Sequence, residues 1–225
     1  MGLDPQSIAK NYREHFSGVS LQAFSWEHAR FVVLDTETTG LDVRRDRLIS
    51  IGAVGIFRRE IELVDSFEIM MPIAYNTSSV TVHGITKEEA EEAGVPEDEA
   101  LAQFLDYLRD GIIVGHHIGH DIEMLSSACE RHFGFRLENE SVDTMDLYLR
   151  LEAVGAFNSM PKLENFSLDG LCRHFHIVPH DRHTAAGDAF ITAQIFIRLL
   201  RKAWSADFLT VGDLTAKFEA EKGEQ

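Results

Sequence analysis

Acid and histidine recur in four short stretches of this chain: Asp35-Thr36-Glu37, Asp121, Asp143-Thr144, and His183 with Asp188 five residues on. Asp35, Asp121 and Asp143 end or follow apolar runs. Chain segments far apart in sequence can therefore deliver their carboxylates to one edge of one sheet. Three or four carboxylates pressed together repel strongly unless cations sit among them. Clusters of this kind hold hard divalent ions, Mg²⁺ or Mn²⁺, and such ions act mainly on phosphates.

Each piece also has a plainer reading. Asp35 and Glu37 stand two apart at the end of the apolar run Phe31–Leu34, so their side chains leave the same face, about 6–7 Å apart along the strand. Strand-end acids are common, but here Thr38-Thr39-Gly40 follows. Such a turn lets backbone amides come close to a sugar or phosphate. A helix N-terminus alone favours a carboxylate such as Asp121. Asp121 also follows a second buried strand, Ile112–Val114, whose packing beside Val32–Leu34 sets it next to the first pair. His183 and Asp188 precede an apolar helix, among Gly187 and the alanines 185, 186 and 189, which permit close approach of helix to sheet or ligand. Histidine titrates near neutral pH and can take a proton from water beside a metal, with Asp188 as a further ligand. A zinc site on His116, His117 and His120 is the weaker alternative.

The elements that must position these groups alternate. Phe31–Leu34, Leu48–Phe57 and Ile61–Met71 read as three leading strands, the last two joined by a short hairpin link at Arg58-Arg59-Glu60. Thr86–Glu89 is a plausible capping box. Pro96 opens a helix to about Arg109, Ile112–Val114 is a strand, and Gly119–Phe133 a helix. Val142 begins another strand-to-helix transition, and helices over 168–175 and 184–200 complete the set. Strands first, then alternation, describe an α/β domain with a mixed sheet. Residues 1–29 read as an N-terminal helical appendage, with Ile8, Tyr12 and Phe16 at helical spacing; 30–202 form the main domain; 203–225 are a short tail with a helix around Val211–Ala220.

The bulk numbers bound the partners. With 21 Lys and Arg against 37 Asp and Glu, the net charge of −16 argues against a duplex binder that relies on neutralising phosphates. It leaves room for nucleic acid held locally, since bound cations supply positive charge where phosphate arrives. No apolar run is long enough to span a bilayer, and Met1–Lys10 shows no basic stretch followed by an apolar one, so a cytoplasmic protein with reduced core cysteines, Cys129 and Cys172, is expected.

Taken together, the motifs are specific. The run Phe31–Leu41 resembles the first motif of the DEDD exonuclease superfamily in its histidine-bearing (DEDDh) branch, most closely the proofreading epsilon subunits of bacterial DNA polymerase III. Val82–Thr86 is similar to the connecting motif, Val114–Asp121 to the second motif, Val142–Met145 to a nearby strand, and His183–Asp188 to the His-x4-Asp third motif. The likeness covers about residues 30–200. It implies a ribonuclease H-like mixed five-stranded sheet flanked by helices, and 3′→5′ release of nucleoside monophosphates from single-stranded DNA ends with two ions, Mg²⁺ or Mn²⁺.

By that likeness Asp35 would bridge both ions, Glu37 and Asp188 would complete the site that activates water, Asp121 would serve the second ion, and His183 would be the general base. Thr38, Thr39, Gly40 and Leu41 would hold the terminal nucleotide, with His83 and His117 beside it. Two positions depart from the family: His117 stands where Asn is common and His120 where an aromatic is common. An RNA-trimming exoribonuclease and a non-catalytic polymerase-accessory module are the alternatives. A DNA polymerase is a possible host in either the proofreading or the accessory case.

Overall fold

Five stretches pair into one mixed sheet: β1 (Arg30–Thr38), β2 (Leu48–Phe57), β3 (Glu60–Met70), β4 (Ile112–Gly115) and β5 (Ser141–Asp143), in the spatial order β3-β2-β1-β4-β5. The computed structural model describes residues 4–16, 21–73, 80–158 and 160–218. The helices are α1 (Pro5–Glu14), α2 (Val80–His83), α3 (Lys87–Ala93), α4 (Glu97–Leu108), α5 (Gly119–Phe133), α6 (Thr144–Ala153), α7 (Leu168–Phe175), α8 (Ala185–Ser205) and α9 (Val211–Thr215). The three-strand meander β1–β3 is antiparallel, whereas β4 and β5 join β1 in parallel. This is the α/β architecture the sequence leads one to expect.

The sheet is buried on both faces because helices cover both. Phe31, Val33, Val54 and Ile56 pack with α6, α7 and α8. Val32, Leu34, Ile51, Ala53 and Ile113 pack with α1, α4 and α5. Arg58 and Arg59, both at positive φ (51° and 66°), form the two-residue turn between β2 and β3, the twist that suits a tight hairpin.

β1 runs four residues beyond the Phe31–Leu34 core of the expected strand. Thr36, Glu37 and Thr38 continue its pairing to Ile51, Ser50 and Leu48, so polar side chains occupy positions that backbone hydrogen bonds hold as strand. The tail helix is shorter than expected, at Val211–Thr215; residues 219 and 220 lie outside the described residues. The capping box at Thr86–Glu89 rests on Glu89, whose side chain also lies outside them.

α1 starts at a capping Asp4 and Pro5 and buries Ile8, Ala9 and Tyr12, packing on α4. The Tyr12 hydroxyl donates to Asn139 and accepts from the Glu138 amide. Trp26, buried, donates its ring N–H to the Phe208 carbonyl at 2.7 Å, and Ser25 pairs with Thr210. Cys129 and Cys172 are buried free thiols. No helix among the described residues is long and apolar enough to cross a membrane.

Candidate active site

Strand alternation divides the site between two faces of β1. Phe31 and Val33 point to the α6–α8 side, Val32 and Leu34 to the α5 side. Two residues on, the same alternation aims Asp35 and Glu37 at α8 and Thr36 at α5. Ligand oxygens of Asp35, Glu37 and Asp188, the last from the first turn of α8, all lie within 4.8 Å of one another. Across the strand, the Thr36 amide and hydroxyl both donate to Asp121 Oδ1, at 2.9 and 2.7 Å. Asp121 therefore docks on the other face of the same strand end.

What lets α8 reach the sheet is Gly52. It pairs with Asp35 in the register of β1 and β2. A Cβ at Gly52 would sit 2.2 Å from the Ala186 nitrogen and 2.3 Å from the Ala185 carbonyl carbon. The first turn of α8 thus rests on bare strand backbone, and Asp188 comes down beside Asp35. Thr184 caps this helix, accepting the Gly187 amide.

Both oxygens of Asp188 are engaged. Oδ2 accepts the His183 amide at 3.3 Å, and Oδ1 accepts from the Arg182 guanidinium. Arg182 also donates to Asp169 Oδ1 at 2.8 Å, so it bridges two acids. His183 sits at positive φ (64°) on the turn before α8, with its side chain exposed.

Three of these carboxyls, Asp35, Glu37 and Asp121, are shifted upward. Burial, then the charges of Asp121, Asp188 and Glu37, hold the Asp35 carboxyl well above the usual carboxylate range, with Arg182 opposing in part. Burial and the charges of Asp188 and Asp121 push Glu37 up to about 7. Burial raises Asp121 as well, against the two hydrogen bonds from Thr36. Carboxyls that disfavour their own ionisation in this way suit a positive partner. The three clustered ligands are all oxygens, the donor set of hard divalent cations. Among the described residues this is the sole such group, and it includes no histidine, so the zinc reading on His116, His117 and His120 has no counterpart there.

The other expected residues are placed as follows. The Thr38 hydroxyl donates to the Gly40 carbonyl and the Thr39 hydroxyl to Asp46, so both side chains hold the turn together. Leu41 is 82% exposed. His117, exposed and at φ 57°, has its amide 3.3 Å from Asp143 Oδ1. Asp143, one of the four acid stretches, caps α6 through Met145 and also accepts the Ile118 amide. It braces the second-motif turn and is absent from the acidic trio. His116 is held down at about 4, chiefly by burial, and bonds Thr144. The backbone of His83 lies in α2; its side chain lies outside the described residues.

Three participants were missed from sequence: Thr36, Gly52 and Arg182. A threonine between two acids, a glycine facing Asp35 and an arginine beside His183 are visible as residues, but only the fold pairs them.

The exonuclease (RNase_T) family model matches residues 32–196. The chain belongs to the exonuclease family, as its motifs led one to expect. Its relatives include the PolC-type DNA polymerase III of Thermotoga petrophila, 35% identical over 78% of this chain, and the DNA polymerase III epsilon subunit of Aquifex aeolicus, 29% identical over 86% of this chain. This chain spans 12% of the length of the first and 91% of the second. The fold matches that of E. coli exonuclease I in complex with a dT13 oligonucleotide, with a TM-score of 0.69 at 18% identity, over 79% of this chain and 42% of that one.

Proposed function

We propose that this chain is a metal-dependent 3′→5′ exonuclease that releases nucleoside monophosphates from single-stranded DNA ends, in proofreading or repair. The observation that carries this reading is the trio of half-buried Asp35 and Glu37 and buried Asp188, with ligand oxygens within 4.8 Å of one another. Residues 30–202 would form the catalytic domain, flanked by 1–29 and 203–225.

Asp35, Glu37 and Asp188 would hold one divalent cation, and Asp121 would serve a second beside Asp35. Two such ions supply electrostatic stabilisation of attacking and leaving oxygens on a phosphodiester. His183, exposed on the turn whose amide grips Asp188, would take the proton of the attacking water. Thr38, Thr39 and Gly40 would offer backbone to the terminal nucleotide, with Leu41 against its base, and His83 and His117 alongside. The names of the polymerase III relatives support a polymerase as host, and such a host works in the cytoplasm. All five acid and histidine positions are present, which favours an enzyme over a non-catalytic accessory module.

The test is digestion of 5′-labelled single-stranded DNA and RNA oligomers with Mg²⁺, Mn²⁺ or EDTA. A metal-dependent ladder shortening from the 3′ end, faster on DNA, is expected. A faster RNA ladder would move the assignment to RNA trimming. A folded protein that gives no ladder with either metal would overturn the enzyme reading.

A further inference from the structure

Four residues after Gly40 the chain carries Arg44, Arg45 and Arg47, three arginines in four positions of a chain with net charge −16. All three are exposed. The loop that displays them is rigid by construction. Asp46 is turned inward: its Oδ1 accepts the Thr39 hydroxyl at 2.9 Å and its Oδ2 accepts the Asp42 amide at 2.8 Å. Gly40 closes over that carboxylate, since a Cβ there would stand 2.5 Å from Asp46 Oδ2. Thr39 and Arg47 are tied by backbone at 2.9 Å and through the Thr39 hydroxyl at 3.0 Å. Val43 packs on the α5 side of the core, and its carbonyl accepts from Ser127.

The arginines themselves have little to neutralise them. Arg45 faces Asp42 at 3.6 Å with 87% of its side chain exposed, a pair that water screens almost fully. Among the described residues Arg47 donates to the carbonyls of Arg45 and Asp46 and to no acid. Beside them lies a hollow of about 270 Å³ lined by Thr39, Arg45 and Arg47, by the apolar Leu48, Met71 and Ile73, and by Glu97, whose carboxylate is taken up by Arg131 and His132. Guanidinium forks next to apolar side chains suit a chain of alternating phosphates and bases.

We infer that the Arg44–Arg47 loop holds phosphodiesters of the substrate strand upstream of the terminal nucleotide. The ligand class is an oligonucleotide several phosphates long, since a mononucleotide ester at the acidic trio has no upstream phosphate to offer. The loop continues directly from Thr38–Gly40, so a strand whose last nucleotide sits at that turn passes the arginines. This deepens the exonuclease reading and rests on it.

The experiment compares wild type with R44Q/R45Q/R47Q. Binding of a 5′-fluorescent 12-mer is followed by anisotropy in EDTA across a salt series. Hydrolysis in Mn²⁺ is compared for the 12-mer and a dinucleotide. With three guanidinium groups no longer neutralising phosphates, the slope of log affinity on log salt should flatten by about 2, and affinity should fall about 10–100-fold at low salt. The 12-mer to dinucleotide ratio of kcat/KM should drop by a similar factor. An unchanged slope together with an unchanged length ratio overturns the inference while leaving the nuclease intact. A wild type that cleaves neither substrate overturns the nuclease reading, and the binding arm still decides the loop. Because Arg47 bonds its own loop, R44Q/R45Q provides the second variant, with a slope change of about 1.4 expected for two arginines.

Discussion

The two ends of β1 handle charge in opposite ways. At its start, Arg30 meets Asp65 in a two-pronged pair at 2.9 and 3.0 Å, gives its Nη1 protons to the Tyr107 and Leu108 carbonyls, and lies over the Tyr107 ring. At its finish, Asp35 and Glu37 face Asp188, and Asp121 presses from the other side. One end is a satisfied structural pair. The other concentrates like charge that folding has to oppose. Arg182 offsets that charge only in part, and this contrast is the physical case for the proposed site at the strand's finish.

The contrast can be tested by breaking either end. Replacing Asp35 with alanine should lower hydrolysis by about 10³-fold or more, because an oxygen that would hold the cations of the proposed site is lost, while the metal-free melting temperature holds or rises as repulsion is relieved. A variant that keeps activity would sink the site assignment.

His183→Ala should slow turnover about 10²–10⁴-fold, with Mn²⁺ affinity by calorimetry nearly unchanged. Loss of Mn²⁺ binding would instead make the histidine a ligand.

A pH series sharpens the comparison without mutation. Folding raises the Glu37 carboxyl from 4.5 to about 7, so it favours the neutral form. That contribution to stability is full below about pH 4.5 and is lost as pH climbs through about 7. Melting in EDTA should therefore weaken across this window, and the gain from added Mn²⁺ should widen. Parallel curves with and without metal would show that no cation relieves the cluster.

The smallest effect belongs to the satisfied end. Arg30→Ala should cost about 1–2 kcal/mol, since the Arg30–Asp65 pair is partly open to water. The readout is a lower melting temperature with kcat on the DNA ladder unchanged.

Much of this was legible in sequence because apolar runs report strands and helices directly. The bounds of β2, α5 and α7 follow from where Ile, Val and Leu runs stop, and the acid motifs announced the chemistry. The polar finish of β1 was not legible, since Thr36–Thr38 count as strand only through their pairing with β2. Nor was the division of the acids, with three on the α8 face and Asp121 held by Thr36. Sequence shows which residues can repel, but only the register with Gly52 shows which of them meet. Asp143 stood among the four acid-bearing stretches and is a cap, a distinction carried by the three amides it accepts.

The order of assembly follows from the same register. β1, β2 and β3 form a meander within residues 30–70, whereas Asp121 and Asp188 arrive on α5 and α8 after much longer loops have closed. Contacts local in sequence are cheaper to close than distant ones, so the meander by itself brings two of the four acids, Asp35 and Glu37, to this edge, and the other two wait on the docking of α5 and α8. A cation that needs the completed site acts after that step. It should slow the release of α8 on unfolding and leave the speed of the meander untouched.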